Sequence, residues 1–264
     1  MSAPFEENPH PKGRPIDLAG RVAIVTGGSR GIGRALAFGL ADAGADVVIA
    51  SRKLEACVAV ADEIHTATGR KATPFACHVG RWEDCDRLAA FVYDELGRCD
   101  VLVNNAGMSP IYDDLPAVTE ELYDKVHAVN ARGPFRLSSL LGARMAEGDG
   151  GSIINISTAG ALRPNADDLP YAMAKAALNA MTLGMAEAWA PKVRVNLVMP
   201  GPYDTGAVTG WGPEAHARIA EMNPMGRIGQ PEDLIGLVTF LASDAAGYIN
   251  GAQILADGGM FKGL

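Results

Sequence analysis

Apolar positions follow two different periods along this chain. Short apolar runs, such as 21–27 and 46–51, are followed by longer stretches in which apolar residues recur every three to four positions, such as 31–44 and 53–69. The runs predict strands and the longer stretches predict helices. Further strands are predicted at 71–77, 99–107, 150–157, 192–201 and 252–259, and further helices at 81–96, 120–145, 170–190 and 231–242.

This alternation of strands and helices predicts the fold class. Because the strand runs are apolar on both faces, we expect a parallel sheet in an α/β, three-layer, doubly wound arrangement with helices on both faces. Seven strands are predicted. No linker-like change of composition divides the chain, so we predict a flexible polar tail over 1–17 and one domain over 18–264. Residues 202–225 are rich in Gly and Pro and interrupt the rhythm, which predicts an irregular substrate lid that includes Trp211.

Composition excludes several classes of function. The formal net charge of −8 argues against a non-specific nucleic-acid partner, which requires a basic surface. No apolar run approaches the roughly 20 residues of a membrane span, and the N-terminus lacks the apolar core of a signal peptide. The four Cys have no zinc-like spacing and no H-E-x-x-H occurs, so we expect no metal site and a cytoplasmic protein with reduced thiols.

A glycine cluster, "TGGSRGIG" from Thr26 to Gly33, joins the first strand to the first helix. The free N–H groups and the partial positive charge of a helix N-terminus suit a pyrophosphate at this position. Glycine permits the tight turn at the start of the cluster, and later lets the backbone approach a ligand. The predicted contacts of the loop are Gly27, Ser29, Arg30, Gly31, Ile32 and Gly33.

The end of the second strand carries Ser51 and Arg52. An acidic residue there would bind the ribose hydroxyls of NAD, whereas Arg52 and Arg30 together can clamp a 2′-phosphate. We therefore expect NADP as the cofactor, with NAD as the alternative. The competing interpretation is that both Arg residues are solvated surface charges.

Further along, "YAMAK" places Tyr171 and Lys175 four residues apart, and therefore on one face of a predicted helix. Taken alone, the pair is typical of a helix surface. Other short motifs occur in order: "NNAG" (104–107), Asn130, "NIST" (155–158) and "PGPYDT" (200–205). With these motifs, the chain resembles the compact single-domain branch of the short-chain dehydrogenase/reductase family from about residue 18 to the C-terminus.

The resemblance implies a Rossmann fold and an NADP(H)-dependent oxidoreductase. Such an enzyme interconverts a carbonyl compound and a secondary alcohol, and the substrate class stays open among 3-oxoacyl thioesters, sugars, steroid-like ketones and xenobiotic alcohols. One alternative is a catalytically silent NADP-binding sensor or scaffold; retention of both Tyr171 and Lys175 argues against it. Another is an epimerase of the longer branch, whose larger C-terminal region is missing here.

The resemblance also implies catalytic roles. Tyr171 is the general acid and base, and Lys175, with the oxidised nicotinamide, is expected to lower its pKa. Asn130 is expected to kink its helix and to anchor a water to Lys175. The hydroxyl that polarises the carbonyl is Thr158 when counted thirteen residues back from Tyr171, and Ser157 when counted from the following glycine. Residue type favours Ser157, and Thr158 remains a close rival.

Cofactor contacts follow from the same resemblance. Asn104 and Gly107 are expected beside the adenosine half, and Thr205 with the backbone after Gly201 beside the nicotinamide carboxamide. The family usually has Asp where this chain has His78, whose neutral ring could accept a bond from the adenine amino group. The remaining implied contacts are Val79, Ala106, Tyr171, Lys175 and Pro200. A homotetramer is implied as well, with the Tyr171 helix and the 120–145 helix at one dimer interface and the last strand and the Pro231 helix at another.

Overall fold

Seven parallel strands form one sheet at the centre of the molecule. The structure, a computed structural model, describes residues 13–205 and 212–261. The strands are β1 (Val22–Thr26), β2 (Asp46–Ser51), β3 (Ala72–Ala76), β4 (Val101–Asn104), β5 (Gly151–Ile156), β6 (Val193–Pro200) and β7 (Gln253–Ala256). Their order, β3-β2-β1-β4-β5-β6-β7, reverses between β1 and β4. This is the doubly wound arrangement predicted from the sequence, and its switch point places a crevice at the carboxyl ends of β1 and β4.

Helices cover both faces of the sheet. They are α1 (Gly31–Asp42), α2 (Leu54–Thr68), α3 (Trp82–Leu96), α4 (Glu120–His127), α5 (Gly133–Glu147), α6 (Leu169–Ala188), α7 (Gly212–Met222) and α8 (Ile235–Ala242). On one face α1, α2 and α8 pack on the sheet through residues such as Leu40, Ile64 and Leu241. On the other face α3, α5 and α6 do so through residues such as Leu88 and Leu141. Burial of these side chains is the main source of stability.

Two predicted elements differ from the structure. The single helix expected over 120–145 is interrupted by a π-helical turn, Ala128–Arg132, between α4 and α5. The segment expected to be irregular over 202–225 contains α7. Trp211, expected in the lid, and residues 1–12 of the expected tail lie outside the described residues.

Across the described ranges, no helix has the length and apolar character needed to cross a membrane.

Candidate active site

The glycine loop lies at the carboxyl end of β1. Gly27 and Gly31 have φ of +67° and +52°, a region that favours glycine. A Cβ on Gly33 would lie 2.2 Å from the Gly27 carbonyl oxygen, so the helix can approach the loop this closely only without a side chain. The N-terminus of α1 has no side-chain cap and no acidic residue in its first turn. Its N–H groups are therefore available to an anionic group, and the loop fits a dinucleotide pyrophosphate.

The loop is joined to the end of β2 by a hydroxyl pair. Ser29 Oγ donates to Ser51 Oγ over 3.0 Å. The neighbouring Arg30 and Arg52 are both exposed, and within 13–205 and 212–261 neither takes part in a salt bridge. The two residues adjoin Ser29 and Ser51 in the sequence, and two cations without a salt-bridge partner are suited to binding a 2′-phosphate.

Thr26 and Asn105 hold the glycine loop against β4. Thr26 Oγ1 accepts bonds from the N–H groups of Asn105 (3.0 Å) and Ala106 (3.1 Å). Asn105 Nδ2 in turn donates to the Thr26 carbonyl over 2.9 Å. Sequence reasoning did not assign a role to either side chain. Strand periodicity was the available signal for Asn105, since adjacent side chains of a strand, here Asn104 and Asn105, point to opposite sides.

Asn104, by contrast, is turned into the protein and is 1% exposed. Its Nδ2 donates to Ser138 Oγ (2.9 Å) and to Asn155 Oδ1 (2.8 Å), which ties β4 to α5 and β5. Asn155 Nδ2 continues this network to Thr182 on α6. The side chain of Asn104 therefore braces the sheet and does not line the crevice.

His78 follows β3 and is held in place by hydrogen bonds of its backbone N–H and of its ring. Its N–H donates to Asp84 Oδ2 over 2.8 Å, and its Nδ1 accepts from the Gly80 N–H over 3.1 Å. A neutral ring that accepts at Nδ1 carries its proton on Nε2. The free ring nitrogen is then a donor, not the acceptor expected for an adenine amino group. The neighbouring Val79 side chain is buried, so Val79 can contact a ligand only through its main chain.

The first two turns of α6 carry Tyr171 and Lys175 on one face. Lys175 is 2% exposed, and its Nζ donates to the Ile156 carbonyl over 2.6 Å. The same Nζ lies 5.8 Å from the centroid of the Tyr171 ring. Burial lowers the pKa of Lys175 to about 8. The pair is therefore built into the protein and is not a solvated surface pair.

The pKa of Tyr171 differs from the sequence expectation. Burial, followed by the negative charge of Asp168, raises it to about 12, while a hydrogen bond with the Thr158 side chain acts in the opposite direction. Lys175 is not among the groups that set this pKa, which desolvation of the phenol dominates. In this structure Tyr171 is held in its protonated, acidic form.

Ser157 and Thr158, adjacent at the end of β5, point in different directions. The Thr158 side chain is hydrogen-bonded to Tyr171. Ser157 is 4% exposed, and its Oγ donates to Asn179 Oδ1 over 2.6 Å on the far side. Of the two candidate hydroxyls, only that of Thr158 is beside Tyr171. Strand alternation directs the two side chains to opposite sides, and Asn179, the partner of Ser157, belongs to no motif.

Asn130 lies in the π-helical turn and is fully buried. Its Nδ2 donates to the carbonyls of Met108 (2.8 Å) and Val126 (2.9 Å), and its Oδ1 accepts from the Met108 N–H. A Cβ on Gly107 would lie 3.0 Å from Asn130 Oδ1 and 3.7 Å from Lys175 Nζ. Asn130 and Gly107 are thus brought next to Lys175, and Asn130 lies in the π-helical turn that interrupts the helix.

The segment after β6 crosses toward the glycine loop. The Gly201 N–H donates to the Ala256 carbonyl, which continues the pairing of β6 with β7 beyond Pro200. A Cβ on Gly31 would lie 3.6 Å from Thr205. Thr205 is therefore in contact with the glycine loop, next to the end of β6.

Comparison with known proteins agrees with this geometry. Residues 27–261 match a family model described as enoyl-(acyl carrier protein) reductase. The human protein named dehydrogenase/reductase SDR family member 4 is 36% identical over 245 residues, which cover 92% of this chain and 88% of the human protein. The chain belongs to the short-chain dehydrogenase/reductase family.

Solved structures of the short-chain dehydrogenase/reductase family share its fold. A gluconate 5-dehydrogenase from Burkholderia cenocepacia, in complex with NADP and tartrate, has a TM-score of 0.89 and 30% identity, covering 94% of this chain and 98% of that one. A 3-oxoacyl (acyl-carrier-protein) reductase from Agrobacterium tumefaciens with NADP bound has a TM-score of 0.87 and 31% identity, covering 92% and 95%. The chain is accordingly an NAD(P)-dependent oxidoreductase acting on CH–OH groups, and these relatives are consistent with NADP as its cofactor.

Proposed function

We propose that this protein interconverts a carbonyl compound and a secondary alcohol with NADP(H), using Tyr171 as the acid and base. The observation that carries the proposal is the Tyr171 hydroxyl, bonded to Thr158 and beside the buried Lys175 at the same edge of the sheet as the glycine loop. Phenol, ammonium and cofactor loop are the parts that such a reaction requires.

The residues that would hold NADP are divided between two ends of the crevice. The glycine loop and the N-terminus of α1 take the pyrophosphate, and Arg30 with Arg52 takes the 2′-phosphate. Lys175 and Thr205 border the nicotinamide end. Gly107, expected beside the adenosine half, lies next to Lys175 and is assigned to the nicotinamide end as well. When bound, the nicotinamide supplies or accepts the hydride.

In the reducing direction, Tyr171 donates its proton to the carbonyl oxygen of the substrate, and Thr158 hydrogen-bonds the same oxygen. A hydroxyl fixed at this position stabilises the charge that develops on the oxygen. Lys175, close beneath the ring, stabilises the phenolate that is left. Ser157 has no direct part in these steps because its hydroxyl is bonded to Asn179.

We also propose one domain over 18–264 and a homotetramer in the cytoplasm. Exposed apolar side chains on the outer faces of α5 and α6 support assembly: Phe135, Met173 and Leu183 are 48%, 43% and 49% exposed. Apolar side chains on neighbouring helices favour burial against a second copy. Light scattering at four times the mass of 27.6 kDa is expected, and a monomeric mass would contradict this part.

A panel of carbonyl compounds with NADPH tests the reaction itself. We expect NADPH oxidation, followed at 340 nm, with at least one ketone of the panel. Tight NADPH binding without oxidation by any member would instead indicate the sensor or scaffold.

A further inference from the structure

Asp168 is a half-buried carboxylate at the entrance to the site. It is the N-cap residue of α6, three residues before Tyr171, yet its side chain makes no capping bond to the helix. Backbone N–H groups of Asn165 and of Asp168 itself interact with it. Its position is thus fixed by the turn over 165–168 and not by the helix that follows.

This carboxylate is unfavourable for the site in three ways. Its Oδ1 is shielded from solvent and has no hydrogen-bond partner among the residues that the structure describes. Burial raises the pKa of Asp168 itself, and its charge raises the pKa of Tyr171, which opposes formation of the phenolate. A buried acceptor without a donor is destabilising. Neither helix capping nor an ion pair among the described residues offsets this cost.

The carboxylate borders the same small space as the Thr158 hydroxyl. A Cβ on Gly160 would lie 3.5 Å from Thr158 Oγ1 and 4.0 Å from Asp168 Oδ2. Since Gly160 has no side chain, this space remains open between the two groups. Thr158 is the hydroxyl bonded to Tyr171, so the space adjoins the position of the reacting carbonyl.

Tyr112 holds the Asp168 turn against the loop that follows β4. Its hydroxyl donates to the Ala166 carbonyl and accepts from the Leu169 N–H over 2.9 Å. These two hydrogen bonds, one on each side of Asp168 in the chain, restrict the movement of the turn. The carboxylate is therefore a fixed acceptor, as substrate recognition requires.

We propose that Asp168 is a specificity-determining residue that accepts a hydrogen bond from a hydroxyl on the substrate carbon next to the reacting carbon. The proposal rests on the proposed function and names its substrate class: neutral hydroxyketones and the corresponding vicinal diols. The oxygen offered to the substrate hydroxyl is Asp168 Oδ2, which borders the space beside Thr158. A substrate carboxylate at the same position is disfavoured by like charge.

A matched pair of ketones tests the proposal. Acetoin and 2-butanone differ by the single hydroxyl next to the carbonyl. With NADPH, the wild-type protein is expected to have a kcat/KM for acetoin at least about tenfold above that for 2-butanone, because a site built around an acceptor discriminates against a ligand that lacks the donor. D168L removes the acceptor, and the expected result is loss of this preference with turnover of 2-butanone retained or increased.

D167L is the matched control, since Asp167 is the exposed neighbour and the variant should keep the preference. An equal change for both ketones in D168L, or a preference that survives, would overturn the proposal. Calorimetry of 2,3-butanediol and 2-butanol binding to the NADP-loaded protein tests Asp168 without turnover, and therefore independently of the proposed function. Tighter binding of the diol that D168L abolishes supports the role of Asp168 even if Tyr171 is not the acid. Equal binding of the two alcohols refutes the role of Asp168.

Discussion

The two sides of the crevice are built differently. On the α6 side, Lys175, Ser157 and Asn130 are buried and hydrogen-bonded within the protein. On the β2 side, Arg30 and Arg52 are exposed, and the described residues give them no ion pair. The first side is organised before any ligand arrives, whereas the second offers charge that a ligand must neutralise. Changes on the first side should therefore affect turnover or folding, and changes on the second should affect affinity and cofactor choice.

Tyr171→Phe should have the largest effect on turnover, and it changes only the α6 side of the crevice. Loss of the proton donor is expected to reduce kcat by about a thousandfold or more while NADPH affinity is retained. Steady-state rates with a turned-over ketone and NADPH fluorescence titration measure the two quantities. Tyr248→Phe, at a fully exposed tyrosine, is the control. Retained turnover in Tyr171→Phe would reject the assigned acid.

On the α6 side, we expect the Thr158 hydroxyl to contribute to catalysis and the Ser157 hydroxyl to contribute to stability. Thr158→Ala should lower kcat by about 100- to 1000-fold with little change in the free energy of unfolding. Ser157→Ala should leave Asn179 Oδ1 without its donor and cost about 1–3 kcal/mol of stability, with a smaller effect on kcat. Urea denaturation and kinetics of both variants decide the matter. The reverse pattern would return the catalytic role to Ser157.

Arg30→Ala and Arg52→Ala address the exposed side. Each should weaken NADP binding by roughly ten- to a hundredfold, the equivalent of one or two charged hydrogen bonds, and leave NAD binding unchanged. Side-by-side titration with both cofactors measures the effect. Lys71→Ala removes another exposed cation and serves as the control. Equal weakening of NAD and NADP would show that these residues do not recognise the 2′-phosphate.

Buried Lys175 predicts a pH dependence of stability. Its pKa is about 8 in the folded protein against 10.5 for an ordinary lysine. Between these values the unfolded chain binds the extra proton, so stability should rise with pH, by about 3 kcal/mol at most across the window. Urea midpoints at pH 7, 8.5 and 10 should show this rise relative to Lys175→Met. Parallel curves for the two proteins would indicate that Lys175 is not desolvated.

The sheet was predictable because its signals are local. The strands are short apolar runs, and most of them are followed by helical periodicity, so all seven strands and the glycine loop follow from the sequence. The interruption of the 120–145 helix was also implied, but only by resemblance at Asn130. In the turn, Asn130 donates to the carbonyl of Val126 one turn earlier and to that of Met108, which lies in a segment that periodicity cannot relate to this helix.

The site was less predictable because its details depend on side-chain direction. Residue type favoured Ser157, while the hydroxyl near Tyr171 belongs to Thr158. The pKa of Tyr171 depends on burial and on Asp168, and spacing to Lys175 reveals neither. Asn179 and Asp168 belong to no motif, and their roles emerge only from tertiary contacts.

A crystal structure of the protein with NADP and a substrate ketone tests the central claim most directly. The measurement is the position of the carbonyl relative to the Tyr171 hydroxyl oxygen and to the reactive carbon of the nicotinamide. We predict that the carbonyl lies between the two, within about 3.5 Å of each. A nicotinamide ring bound away from α6, or a Tyr171 side chain directed away from the ring, would contradict the account.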